Sequence, residues 1–248
     1  MSIITPERER EWEWDYGALR RHLVPGTTTS ILTRTSKMPG PSFSLPAHTT
    51  CPGANMAAGS VCSSCYASKG QYGVVRVQRA QQARMRWTVG SSSIVGAGFS
   101  TSWIEYMSIA ILATGCEYFR IHDSGDFFSP VYVRMWGQVV IRCPHVKFWA
   151  PTRSYKLPKI ADALLALAAL PNITVRPSSD FVDHQVPAVD GLASGSGVHS
   201  IHAMAGSYWA GAGEEGVKIC PAHTQGNQCA ACRACWDEPD TAISYALH

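Results

Sequence analysis

Between residues 117 and 178 the hydrophobic period of the chain changes repeatedly, and this alternation limits the folds open to it more than any other feature. "EYFRIHD", "VKFWAPT" and "NITVRPS" are short runs rich in aromatic and β-branched residues, the composition of strands. Between them the apolar residues recur every three to four positions. Ser129 and Pro130 supply an N-cap and a first helical residue, after which Tyr132, Met135, Trp136 and Val139 share one face. In "LPKIADALLALAAL" the stripe is Leu157, Ile160, Leu164 and Leu167. Upstream, "SFSLPA" reads as a strand, "VVRVQRAQQARMRWTV" as a helix, and "STSWIEYMSIAILATG" as a helix with Trp103, Met107, Ala110 and Ile111 aligned. "GVHSIHAM" and "VKICPA" bring the candidate strands to about six. Alternation at this spacing demands parallel strands with right-handed crossovers. The expected class is α/β: a (β/α) barrel or partial barrel of about six parallel strands, or an open doubly wound sheet.

With 248 residues, 46% hydrophobic and 16% charged, the chain can bury a single core. Residues 1–36, with Trp12 and Trp14 among many charges and Thr5-Pro6 as a helix start, read as an N-terminal extension. Residues 37–248 read as one domain whose 219–236 segment is rich in cysteine. The Gly/Ser-rich "VGSSSIVGAG" and "DGLASGSGVHS" read as loops within it. No run of eighteen apolar residues argues for a membrane span, and "MSIITPERERE" is charged where a signal peptide is apolar. The expectation is a cytoplasmic protein in a reducing compartment, without membrane partners.

In parallel α/β folds the chemistry gathers where strands end. Here those positions carry His122, Asp123, Ser124, Gly125 and Asp126, then Arg153 and Ser154, then Arg176, Ser178, Ser179 and Asp180, then His199 and His202. The first strand leads into Cys51 and the last candidate strand into Cys220.

Nine cysteines in a reducing compartment favour a metal over a disulfide framework. The tail carries Cys220-x8-Cys229-x2-Cys232-x2-Cys235, and C-x2-C-x2-C opens the bacterial ferredoxin pattern, whereas structural zinc prefers two separated pairs. The upstream group, Cys51-x10-Cys62-x2-Cys65, has three thiols, which would hold a [4Fe-4S] cluster with one iron left open. Alternatives are zinc in the tail, a zinc site divided between Cys62/Cys65 and the tail, or one cluster drawing on both groups. Cys116 and Cys143 lack partners at ligand spacing and read as buried thiols.

"SFSLPAHTTCPG", "CSSCYASKGQY", "FRIHDSGDFFSPVYVRMW", "FWAPTRS" and "CPAHTQGNQCAACRACW" together resemble the phage gene product 88 domain family across about residues 37–236. That resemblance implies a viral or prophage setting and cysteine-bound metal. More distantly, the arrangement is similar to radical S-adenosylmethionine enzymes. This likeness implies a cluster on Cys51, Cys62 and Cys65, cofactor contacts from Asp123, Gly125 and Asp126, and an auxiliary centre on Cys220 to Cys235. The spacing departs from that superfamily's C-x3-C-x2-C, so S-adenosylmethionine binding does not follow from the resemblance.

"HDSGDF" reads either as a catalytic acid–base group, with Asp123 or Asp126 positioned by His122 and Arg153 also facing the reactant, or as a polar turn. Arg153 and Arg176 either clamp an anionic ligand or neutralise nearby aspartates. His199, His202 and His223 read as hydrogen-bonded packing residues rather than ligands. Arg76, Arg79 and Arg86, with Arg84 beside them, form either a solvated helix face or a phosphate-binding stripe. P-loop and G-x-S-x-G signatures are absent from the sequence. The leading expectation is an iron–sulfur protein performing redox or radical chemistry on a small-molecule substrate, with an electron donor. The rival is a metal-stapled module that binds nucleic acid or a host protein through the basic helix.

Overall fold

The computed structural model describes residues 21–92, 101–200 and 217–247. Seven strands form one all-parallel sheet: β1 (Ser42–Ser44), β2 (Tyr118–Ser124), β3 (Lys147–Thr152), β4 (Ile173–Val182), β5 (Ser196–His199), β6 (Val217–Ile219) and β7 (Ala242–Ala246). Their spatial order is β1-β2-β3-β4-β5-β7-β6. Six of the strands coincide with the expected runs. The seventh, "AISYA", was not expected, and it enters between β5 and β6 rather than at an edge. The helices are α1 (Val75–Ser92), α2 (Thr101–Leu112), α3 (Pro130–Arg142), α4 (Pro158–Ala168) and a single turn, α5 (Ala234–Asp237). Trp12, Trp14, Thr5-Pro6 and His202 lie outside the described residues, as does most of "VGSSSIVGAG".

The helix α3 begins as its sequence dictates: the Ser129 hydroxyl accepts from the Tyr132 amide at 3.2 Å, and Pro130 occupies the first turn. Its stripe of Tyr132, Met135, Trp136 and Val139 is fully buried, as are Ile160, Leu164 and Leu167 of α4. These faces meet Phe43, Phe119 and Phe148 from β1, β2 and β3. Trp136 packs edge-on against Trp103 of α2 at 5.4 Å and against Phe43 at 5.7 Å. Residues 22–33, expected as part of an extension, instead join this core. Thr33 pairs with Ser42, and Val24 and Ile31 are buried because their apolar side chains close the end of the β1–α2 layer.

Alternate strand residues point to the other face, where Trp149 of β3 meets Trp236 of α5 at 5.2 Å. The cysteine-rich tail runs across this face. The Cys220 amide donates to Ser244 of β7, while the Cys229 amide donates to Lys37, ahead of β1. One loop thus bridges opposite edges of an open sheet, giving a partial barrel whose interior the tail occupies. Among the described residues β1 and β6 do not pair with each other.

Candidate functional site

At the C-terminal end of β2 the chain leaves regular strand geometry. The register with β1 shifts between Phe43 and Ser44, and His122 adopts a positive φ of 64°. The bulge sends neighbouring side chains to different sides. His122 turns toward the helices, where its Nε2 lies 2.8 Å from the Tyr132 hydroxyl and its ring packs on Phe127. Burial, aided by the charge of Arg120, lowers its pKa to about 3. Asp123 turns the other way. Its Oδ2 accepts from the Tyr72 hydroxyl at 2.9 Å, its Oδ1 lies 3.5 Å from Thr33 Oγ1, and its carbonyl accepts from the Tyr66 hydroxyl. Burial raises its carboxyl pKa, against the pull of Arg120.

Gly125 follows with φ of 85°. A Cβ there would lie 2.7 Å from both Leu45 Cβ and Thr50 Oγ1, so the turn packs directly on the exit from β1. Asp126 then accepts from Thr152 Oγ1 at 2.6 Å, from the Phe127 amide at 2.7 Å and from the Arg153 amide at 2.8 Å. Burial raises this carboxyl as well. The Arg153 guanidinium donates to the Ser179 carbonyl and stands 3.6 Å from Asp180. The segment therefore has the geometry of a polar turn, with Asp126 joining the ends of β2 and β3. Asp123, Asp126 and Arg153 all make bonds within the protein.

The loop from Cys51 to Tyr72 lies over these strand ends. The Val61 amide donates to Asp180, Ser60 bridges to Phe181, and Gly53 packs so closely on Arg153 that an added Cβ would lie 2.3 Å from its carbonyl oxygen. This folding brings Cys51, Cys62 and Cys65 together. Burial pushes the Cys51 thiol up to about 12, and the charges of Asp126, Cys65 and Cys62 add to the rise. The Cys65 thiol is raised by burial first, with Cys62 adding to it.

The tail thiols form a second group. Burial pushes Cys235 up to about 12, with Cys220 and Cys229 contributing, and Cys229 is raised by burial together with Cys220 and Cys232. Cys220 leaves the C-terminal end of β6, while Trp236 and Asp237 at the far end of the segment are held at the starts of β2, β3 and β4. Trp236 donates to the Phe119 carbonyl at 2.9 Å, Thr174 donates to the Trp236 carbonyl at 2.7 Å, and Asp237 binds Tyr118 and Lys147, the first residues of β2 and β3. Arg176, expected as an anion clamp or a counter-charge for aspartate, does neither. It is fully buried and donates to the carbonyls of Cys235, Ala234, Glu238, Ser194 and Thr241, which fixes the tail to β4. Among the described residues no three Cys, His, Asp or Glu side chains are gathered tightly enough to hold a single metal ion.

Between the two groups lies a column that sequence reasoning did not identify. The Cys235 sulfur is 3.2 Å from the Tyr245 hydroxyl, Tyr245 packs near Trp149 at 6.3 Å, and the Arg120 guanidinium covers Trp149 at 4.6 Å. Arg120 in turn donates to the Tyr66 hydroxyl at 3.2 Å, next to Cys65. The Tyr66 ring edge is 44% exposed while its hydroxyl reaches inward. Desolvation works against the Arg120 cation, but the neighbouring acidic groups Tyr66 and Asp123 raise its pKa, and it stays protonated. The period-2 alternation of β2 and β3 placed Arg120 and Trp149 opposite the helices, but nothing local announced what they would meet. His199 and His223 are hydrogen-bonded, to Ser244 Oγ at 2.5 Å and to the Cys220 carbonyl at 3.1 Å. Cys143 is buried at the end of α3, and Cys116 is partly buried.

Among the described residues no helix is long and apolar enough to cross a membrane. No solved structure matches the chain. The "Gene 88 protein" of Mycobacterium phage L5 is 63% identical over 35 residues, 14% of this chain and 15% of the relative. The "Gene 88 protein" of Mycobacterium phage D29 is 42% identical over 62 residues, 25% of this chain and 24% of the relative. The aligned segments thus span less than a quarter of either relative's length. The model of the Gene product 88 family, however, matches residues 18–238, and the chain belongs to that phage family.

Proposed function

We propose that the protein is an iron–sulfur protein with two centres: a [4Fe-4S] cluster on Cys51, Cys62 and Cys65 at the C-terminal rim, and a second on Cys220, Cys229, Cys232 and Cys235 in the tail. The observation that carries this reading is the division of seven thiols into a group of three, in one loop folded over the strand ends, and a group of four in the tail. An all-thiol donor set suits zinc or iron–sulfur, not hard cations. A single tetrahedral zinc draws its thiolates to about 3.8 Å from one another. A cubane binds each thiolate through a different iron and so spreads them further.

A three-thiol cluster leaves one iron for an outside ligand, and the chemistry it would supply is redox or radical chemistry on a small molecule. The chain's own residues define its surroundings. Asp126 and Arg153 tie β2, β3 and β4 beneath the loop, and Asp123, held by Tyr72, fixes the segment that follows Cys65. S-adenosylmethionine as the outside ligand is part of the proposal only at the three-thiol group, where Asp123, Gly125 and Asp126 stand.

The test is metal and acid-labile sulfide analysis of protein purified without oxygen, alongside Cys62→Ala/Cys65→Ala and Cys232→Ala/Cys235→Ala variants. Two cubanes give about eight irons per chain, and each double variant retains about four. A colourless protein containing zinc and no sulfide overturns the reading.

A further inference from the structure

A cavity of about 530 Å³ lies beside the cysteine loop, on the outer side of the column just described. Its walls are the 46–49 turn after β1, Ala67, Ser68 and Tyr72 of the cysteine loop, and the first three turns of α1. Arg79, Gln82 and Arg86 project from one face of α1, and Gln78 and Gln81 stand beside them. Arg79 and Arg86 are two turns apart, about 10 Å along the axis. No acidic residue lines the space, and among the described residues neither arginine makes an ion pair or a side-chain hydrogen bond. Gln81 is 3% exposed, and its buried amide nitrogen has no partner. Buried polar groups are rarely left unpaired, so this amide marks a position where a ligand atom completes the structure. The turn opposite is built through His48, which holds a positive φ of 62°, a strained conformation that concentrates at ligand sites.

We propose that this cavity binds a nucleoside phosphate. Two unpaired guanidiniums carried two turns apart on one side of α1 fit a ligand whose negative charge is extended, as in a diphosphate, and a single carboxylate would engage only one of them. The three glutamine amides offer paired donors and acceptors of the kind a heterocyclic base presents on its edge. The volume falls within the range of small-molecule sites. Of the four arginines on α1 the geometry selects two. Arg84 is buried on the opposite side, donating to the carbonyls of Ser30 and Ile31 and to Ser44 Oγ, and Arg76 is exposed outside the cavity. A phosphate-binding stripe for nucleic acid would use Arg76 as readily as its neighbours. A nucleotide cavity would not. The proposal stands on the cavity alone and does not depend on the iron–sulfur reading.

Isothermal titration of the full-length protein, as purified, with ADP, GDP, inorganic pyrophosphate and an eight-residue oligothymidylate tests it. The expected result is saturable one-to-one binding of at least one nucleoside diphosphate, tighter than pyrophosphate. Arg79→Ala and Arg86→Ala each weaken that binding about tenfold or more, and Arg76→Ala changes it less than twofold. Gln81→Leu reduces nucleotide binding and leaves pyrophosphate binding unchanged. Metal content and thermal unfolding of the arginine variants should match the parent, which separates loss of the site from loss of the fold or of the proposed clusters. Failure of both nucleotides to titrate overturns the proposal. Equal losses from Arg76→Ala and Arg79→Ala, or binding of the oligonucleotide alone, overturn it in favour of an extended strand on the helix surface.

Discussion

Arg176 shows how far a side chain's role can stand from its residue type. Its guanidinium sits on the inner face of β4 among five carbonyl oxygens, three of them from the tail segment Ala234–Glu238. Burial lowers its pKa, but the surrounding oxygens suit the cation. An apolar replacement leaves several buried acceptors unpaired, each costing about 1–3 kcal/mol. Arg176→Met is therefore expected to destabilise the protein by roughly 3 kcal/mol or more in urea unfolding, and to loosen the tail first, seen as faster amide exchange at Ala234–Glu238. Sequence placed Arg176 at the inner end of a strand, but its acceptors follow some 60 residues later, so its role was not legible. His122 carries a prediction of a different kind. Unfolded, histidine titrates near 6.5, whereas here burial holds it near 3. Above pH 6.5 both states are neutral; below it only the unfolded chain takes the proton, so stability falls as pH drops from about 6.5 toward 3. Asp123 and Asp126, raised by burial, act in the opposite sense and favour folding as they protonate. The expected outcome is that the parent loses a few kcal/mol more than His122→Phe between pH 6.5 and 4. Equal acid limbs in urea titrations would count against the account.

At the scale of elements, the sequence marked most clearly whatever was periodic and local. The stripes of α3 and α4 are buried as the 3.6-residue spacing requires, and Ser129-Pro130 starts its helix where a cap and a first-turn proline should. The spacing of α1 likewise put Arg79 and Arg86 on one side. It did not tell which side would be covered, because that depends on residues 30–31 and 46–49, which reach the helix from another layer. The β7 strand is the clearest omission: its five residues are recognisable only by the neighbours they pair with. The cysteine spacing marked the two groups, but where the tail group lies depended on the tail crossing the sheet from β6 to Lys37. The turns that position the upstream group depend on two glycines. Gly125→Ala puts a Cβ against Leu45 and Thr50 at positive φ, and Gly53→Ala drives one into the Arg153 carbonyl. Each should cost about 1–3 kcal/mol. On the proposed two-cluster reading, both should also lower iron retention at Cys51, Cys62 and Cys65 and spare the tail group, measured as iron per chain.

For the whole molecule, the strand order separates what the sequence lists side by side. The turn after β1 carries Cys51, and the tail begins at the far edge with Cys220, yet the tail returns through the interior to touch Lys37. Many parallel barrels keep an open mouth above a core of aliphatic side chains. In this molecule Trp236, Trp149 and Arg120 stand one behind another from the tail to the cysteine loop. Among the described residues these side chains fill the space between the tail and the cysteine loop, so a change at one would be felt at the other through packed rings and a cation rather than through solvent.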